Sequence, residues 1–160
     1  MSKSKPATRG QKAYESGIKL ENRTARWLTS QFKYNCKKRD FARGKISKRP
    51  YEVDIHGIKE GLFKRFSRTH LWVECKAYKV KRTNVTKLVE SARDVEDAKD
   101  ADIEKWSANL LMLVSNKGFD VDAIGMANKY KIYCVKAGKS FEFVSKRNRD
   151  HFKDGEESEF

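Results

Sequence analysis

Cysteine is scarce in this chain of 160 residues: Cys36, Cys75 and Cys134 lie far apart, with no C-x-x-C pair. An odd, sparse set excludes a disulfide framework and a cysteine zinc site, and it points to a reducing, cytoplasmic setting. Long apolar runs are missing too. None approaches the ~20 residues of a membrane span, and no apolar stretch near the start resembles a secretory leader. There is no G-x-x-x-x-G-K-[ST] loop to cradle a nucleotide, no His/Cys group of zinc-ligand size, and no Ser-His-Asp order. Acids are also in deficit, with 22 Asp+Glu against 36 Lys+Arg, a formal charge of +14.

That excess belongs to the body of the chain. Residues 1–13 carry Lys3, Lys5, Arg9 and Lys12 without an acid, while residues 150–160 are mainly acidic. The two ends cancel, and they read as a flexible basic arm (1–13) and a flexible acidic tail (150–160) around one domain, 14–149. A chain of this length buries a self-supporting core. A body so basic repels itself, and a polyanion is the partner that offsets this. Residues 37–50 and 59–82 concentrate the bases, whereas residues 90–105 are mostly acidic. The pattern predicts a nucleic-acid face backed by an acidic one. No basic amphipathic helix with apolar anchors argues for a membrane.

Apolar spacing predicts a helix over 14–31, a short strand over 32–41 and a basic loop ending at Pro50. A strand over 51–58 alternates Tyr51, Val53 and Ile55 with Glu52, Asp54 and His56. Another over 71–78 alternates Leu71, Val73, Cys75 and Ala77 with Trp72, Glu74, Lys76 and Tyr78. Thr83 is the expected cap of a second helix, in which Val85, Leu88, Val89, Ala92, Val95 and Ala98 recur at helical spacing. The apolar run 109–115 reads as a strand covered on both faces, followed by a helix over 120–130 and strands over 131–135 and 141–145. The order αβββαβαββ indicates one mixed α/β sheet flanked by helices.

Asp54, Glu74 and Lys76 are the residues that could carry chemistry. Glu74 and Lys76, two apart on a strand, project from one face, and an antiparallel neighbour brings Asp54 alongside. Two converging carboxylates repel unless one is protonated or a cation lies between them. Mg²⁺ suits such a site because it takes few protein carboxylates and keeps water and phosphate oxygens; Mn²⁺ would substitute. The Cys75 carbonyl, between the two active side chains, is a further candidate ligand. Composition alone gives about two E-x-K tripeptides in a chain like this, so the tripeptide counts only through its place in an apolar strand. A structural ion pair across that strand is the alternative. His56 is expected at a solvent-exposed strand end or near the metal's water, and the Cys75 thiol as inert packing.

Asp54, nineteen intervening residues and then Glu74-Cys75-Lys76, with an amphipathic helix on either side, resembles the PD-(D/E)xK nuclease superfamily. Val53 stands where that pattern has proline. The second half (LLMLVSNKGF, then DAIGMANKYKIYCV) is similar to the Mrr-like restriction endonuclease branch, and the first half also to archaeal Holliday-junction resolvases. The resemblance implies a restriction-endonuclease-like fold and Mg²⁺-dependent hydrolysis of DNA. Asp54, Glu74 and Cys75 would hold the metal, and Lys76 would activate or position the attacking water. It also implies a role for Glu21, in Gly17-x-x-x-Glu21, as an outer acid. The Gln that some members carry after the D/E-x-K strand is absent, leaving Tyr78 or Lys79 to substitute.

Lys37, Lys38, Arg39, Arg43, Lys45, Lys48 and Arg49 before the metal strand are expected to contact phosphates. So are Lys64, Arg65, Arg68, Lys79, Lys81 and Arg82 around the second strand. Phe63 and Phe66 would stack on bases or cover the sheet's edge. The alternatives are a non-catalytic nucleic-acid-binding protein with an idle site, and a dimeric junction resolvase. Selectivity would come from DNA structure, a homodimer or a partner chain.

Overall fold

A computed structural model describes residues 4–61 and 68–154. The first helix, α1, spans Arg9–Phe32, earlier than residue 14, because Thr8 begins a T-x-x-Q capping box. Thr8 Oγ1 accepts the Gln11 N–H at 3.2 Å, and Gln11 Oε1 accepts the Thr8 N–H at 2.8 Å. The arm expected over 1–13 is therefore helical from residue 9. Next come β1 (Asn35–Ala42), β2 (Tyr51–Glu60) and β3 (Arg68–Lys76), then α2 (Arg82–Asp100) and β4 (Leu110–Ser115). The chain continues through α3 (Val121–Lys129), β5 (Tyr133–Ala137) and β6 (Phe141–Phe143) to α4 (Arg149–Asp154).

Two more boundaries differ from expectation. Lys81, rather than Thr83, caps α2, because the Asn84 side chain accepts the Lys81 N–H at 2.9 Å. The acidic tail is helical over α4, whose Phe152 is fully buried. Residues 155–160, with Phe63, Lys64, Arg65 and Phe66, lie outside the described residues. Among the described residues no helix is long and apolar enough to cross a membrane.

The six strands form one sheet in chain order. β1, β2 and β3 pair antiparallel, β3, β4 and β5 pair parallel, and β6 returns antiparallel on β5. All six residues of β4 are buried, as its unbroken apolar sequence requires of a central strand. Two apolar layers result. On one face Val85, Leu88, Val89 and Val95 of α2 and Ala123 and Ala127 of α3 pack against Trp72, Leu111 and Leu113. On the other Leu20, Leu28 and Phe32 of α1 and Phe152 of α4 pack against Ile55, Leu71, Val73 and Met112.

β2 departs from strict alternation at one point. Val53 packs on the α2 side and Ile55 on the α1 side, although two residues apart they should share a face. β1 turns over as well: Cys36 belongs to the α1 layer and Ala42 to the α2 layer. Both strands reverse at Arg39, whose φ of 54° is left-handed, and at Asp54 opposite it. The β2–β3 ladder ends at Ile55↔Val73, so Asp54 stands at a fork in the sheet.

Candidate active site

Across that fork the Cys75 N–H donates to Asp54 Oδ2 at 2.8 Å, aiming the carboxylate at β3. β3 keeps its alternation. Cys75 is buried in the α1 layer, while Glu74 and Lys76 project on the side of Trp72, Lys76 Nζ lying 3.8 Å from Glu74 Oε2. The Trp72 indole N–H donates to Glu74 Oε1 at 2.8 Å, fixing the carboxyl group from within its own strand. Asp54 is near enough to Glu74 for its charge to act on that carboxyl group. The structure thus brings Glu74 and Lys76 together on one face, with Asp54 held against the residue between them.

Electrostatics follow from this crowding. Burial, then the Asp54 charge, pushes the Glu74 carboxyl up to about 8, against the Trp72 hydrogen bond and the Lys76 charge. Burial alone would lower the Lys76 ammonium, but Glu74, Tyr78 and Asp54 outweigh it and hold the pKa above its ordinary value. Lys76 therefore remains a cation. Glu21, one turn beyond Gly17 on α1, is raised by burial and then by Asp54, while Arg39 opposes the shift at 3.6 Å. Burial pushes the Cys75 thiol well up, so that sulfur is unreactive packing.

Glu74 and Lys76 open into a cleft of about 350 Å³ walled by Tyr51, Tyr78, Asn84 and Lys87. Asn84 Nδ2 donates to the Tyr78 hydroxyl at 3.3 Å. The sequence puts Trp72 on the Glu74 face without giving it a part in the site, and it does not single out Asn84 or Lys87. Those two lie three apart near the start of α2, which points them the same way.

The donor set suits a hard divalent cation. Asp54 and Glu74 offer carboxylate oxygens, the donor type that a hard divalent cation takes. Among the described residues, no group of three or more His, Cys, Asp or Glu side chains is arranged to hold a metal ion.

His56 is neither exposed nor beside the carboxylates. It is buried, with Nδ1 2.8 Å from Asp40 Oδ2 and Nε2 2.8 Å from His70 Nδ1, and it stacks on Trp106 at 3.6 Å. Opposite Trp72 in the β2–β3 ladder, it lies on the α2 side, under a tryptophan from a distant loop.

The basic residues divide into two groups. Lys37 pairs with Asp40 at 3.0 Å, Arg39 with Glu21, and Arg68 with Glu60 at 3.2 Å, while Lys38 bonds the Asn22 side chain. Arg43, Lys45, Lys48, Arg49, Lys79, Lys81 and Arg82 are exposed, with no ion-pair partner among the described residues. The acids of 90–105 are not simply an opposite face, since Asp94 and Glu104 hold the backbone of the basic loop.

The described residues define a mixed α/β protein, a six-stranded sheet with helices on both faces. No protein-family model matches the chain, and no curated protein matches it. Two solved structures resemble it in fold. One is the crystal structure of a protein of unknown function, AF1548, with a TM-score of 0.58 and 16% identity, covering 82% of this chain and 62% of that one. The other is a repair endonuclease from Pyrococcus abyssi, with a TM-score of 0.49 and 14% identity, covering 87% of this chain and 50% of that one. The chain spans less than two thirds of the length of either.

Proposed function

We propose that this chain is a metal-dependent DNA endonuclease that hydrolyses phosphodiester bonds. The observation that carries the reading is the gathering of Asp54, Glu74 and Lys76 at the fork between β2 and β3, with Glu74 pushed up to about 8. A fold has little use for an acid held at such a cost, and groups perturbed this way concentrate at working sites. Asp54, Glu74 and the Cys75 carbonyl would hold Mg²⁺ or Mn²⁺. Bound there, the metal supplies Lewis-acid stabilisation of charge on the phosphodiester and a more acidic water.

The chain's own groups supply the rest. Glu74 would have to be ionised to hold the cation, its proton passing to solvent. Lys76, kept as an ammonium, holds a phosphate oxygen or the attacking water in place rather than acting as the base. Glu21, beside Asp54, accepts a hydrogen bond from a water and orients it. The unpaired cations near the cleft bind the DNA backbone.

Plasmid nicking with Mg²⁺ or Mn²⁺ against EDTA tests this, repeated with Glu74→Ala and Lys76→Ala. Cutting that needs metal and fails in both variants supports the reading; equal cutting by the variants overturns it. One observation favours a second reading, a DNA-binding scaffold with an idle site: the described residues contain no three-ligand cluster. That reading expects no cleavage with any metal, and DNA retention that survives Asp54→Asn.

A further inference from the structure

The most exposed large aliphatic side chain in the basic loop is Ile46, at 84%. A single exposed isoleucine is ordinary. Its backbone is not. Asp94 of α2, only 8% exposed, accepts the Ile46 N–H at 2.8 Å and the Ser47 N–H at 3.1 Å on its carboxylate, and the Lys45 N–H at 3.1 Å on its carbonyl. Glu104 accepts the Arg43 N–H at 2.7 Å, and Ser47 Oγ donates to the Arg49 carbonyl at 2.7 Å. Gly44 lies against Asp94 so closely that a Cβ there would overlap the carboxylate. Residues 43–47 are thus fastened through the main chain, and the side chains of Arg43, Lys45, Ile46, Lys48 and Arg49 are left facing out.

The same clamp reaches the cleft. The Tyr51 hydroxyl donates to Asp94 Oδ2 at 2.8 Å, and Pro50 and Tyr51 wall the cleft that contains Glu74 and Lys76. Loop and site therefore share one rigid support. A connection between two strands requires none of this; an apolar tip that must arrive in a fixed position does.

We propose that Ile46 is a wedge that enters between adjacent base pairs of duplex DNA while Arg43, Lys45, Lys48 and Arg49 grip the flanking phosphates. This rests on the reading that the chain binds DNA, and it adds how the duplex is deformed at the site. Four cations around an aliphatic tip fit a polyanion whose interior is apolar. Opening a base step costs a few kcal/mol, which phosphate contacts on both sides offset. Because the loop is already ordered, binding loses little further entropy in seating the wedge.

The test uses the full chain in EDTA, so that no cleavage intervenes. Short duplexes carry 2-aminopurine at successive positions and a fluorophore pair at their ends. The native protein is expected to brighten 2-aminopurine at one step and to shorten the end-to-end distance. Ile46→Ala should lose most of both signals while its affinity changes by less than about threefold. Ile46→Phe should keep them. A duplex that stays stacked and straight under the native protein, or signals unchanged in Ile46→Ala, overturns the wedge. Bending without cleavage in a parallel Mg²⁺ reaction keeps the wedge and removes the nuclease reading. Metal-dependent cleavage of an undeformed duplex does the reverse, and a failure to bind DNA removes both. Selective binding to an acidic protein or anionic vesicles, with no DNA bound, would assign the loop to another partner.

Discussion

The Cys75 amide and the Asp54 carboxylate meet at 2.8 Å just beyond the last paired residues of β2 and β3, so one hydrogen bond spans the fork. Asparagine at position 54 keeps an oxygen for that amide, whereas alanine leaves it without its partner. Asp54→Asn should abolish nicking with little change in stability. Asp54→Ala should abolish nicking and also cost about 1–2 kcal/mol in urea unfolding. Full nicking by Asp54→Asn would remove Asp54 from the chemistry.

Glu74 gives a pH dependence of unusual sign for an acid. Its folded pKa, about 8, lies above the ordinary 4.5, so the metal-free native state holds this proton more tightly than the unfolded chain does. The group's contribution is therefore most favourable below the ordinary value and is lost as pH rises from about 4.5 to about 8. Glu74→Gln lacks this titration. In EDTA its urea midpoint should exceed the native midpoint by more at pH 8.5 than at pH 5.5. Equal differences at the two pH values would mean that Glu74 ionises normally.

Two imidazoles, His56 buried and His70 half-buried, give the opposite dependence. Burial lowers His70 to about 4, helped by the neighbouring His56, Arg68 and Lys99 charges. His56 is lowered by burial despite Asp40. The unfolded chain then binds more protons, and stability contributed by these rings is lost as pH falls from 6.5 towards 4. In NMR spectra the His70 ring resonances should stay constant from pH 8 to below 5. A midpoint near 6.5 would contradict the burial.

DNA affinity should be divided unevenly among the cations. Lys48→Ala or Arg49→Ala removes a charge with no ion-pair partner among the described residues, and each should flatten the log–log salt dependence by about one. Lys37→Ala and Arg68→Ala remove charges already paired with Asp40 and Glu60, so their slopes should change less. Salt titrations of fluorescence anisotropy measure all four, and equal slope changes would argue against the division.

Element order could be read from the sequence because the apolar periods of α2, β4 and β3 are strong and local. The placing of Glu74 and Lys76 on one face, with Asp54 held against the residue between them, could be read for a similar reason: β3 alternates without interruption, and β2 is its hairpin neighbour. Other features depended on information the periods do not carry. The reversal at Arg39 and Asp54 is a backbone event at residues with no special propensity for it, and it moved Tyr51 and Val53 to the face opposite Ile55. The start of α1 is marked by the capping residues Thr8 and Gln11, in a stretch that lacks large apolar residues. α4 looked like a charged tail because one phenylalanine, Phe152, carries its burial. Trp106 over His56 joins residues fifty positions apart, and no local pattern announces it.

α4 also governs the far end of the molecule. Phe152 meets Phe32 and Tyr34 at 4.7 and 5.4 Å between ring centroids, and Arg149 bonds Gln31, so the final helix fastens the terminus of α1. Arg23 reaches the carbonyls of Ala137, Gly138 and Lys139, anchoring α1 near Glu21. The acid from the first helix is thus seated by residues synthesised more than a hundred positions later. A nascent polypeptide still on the ribosome lacks that seat, so the first helix would stay unfastened at both points until translation had passed residue 152.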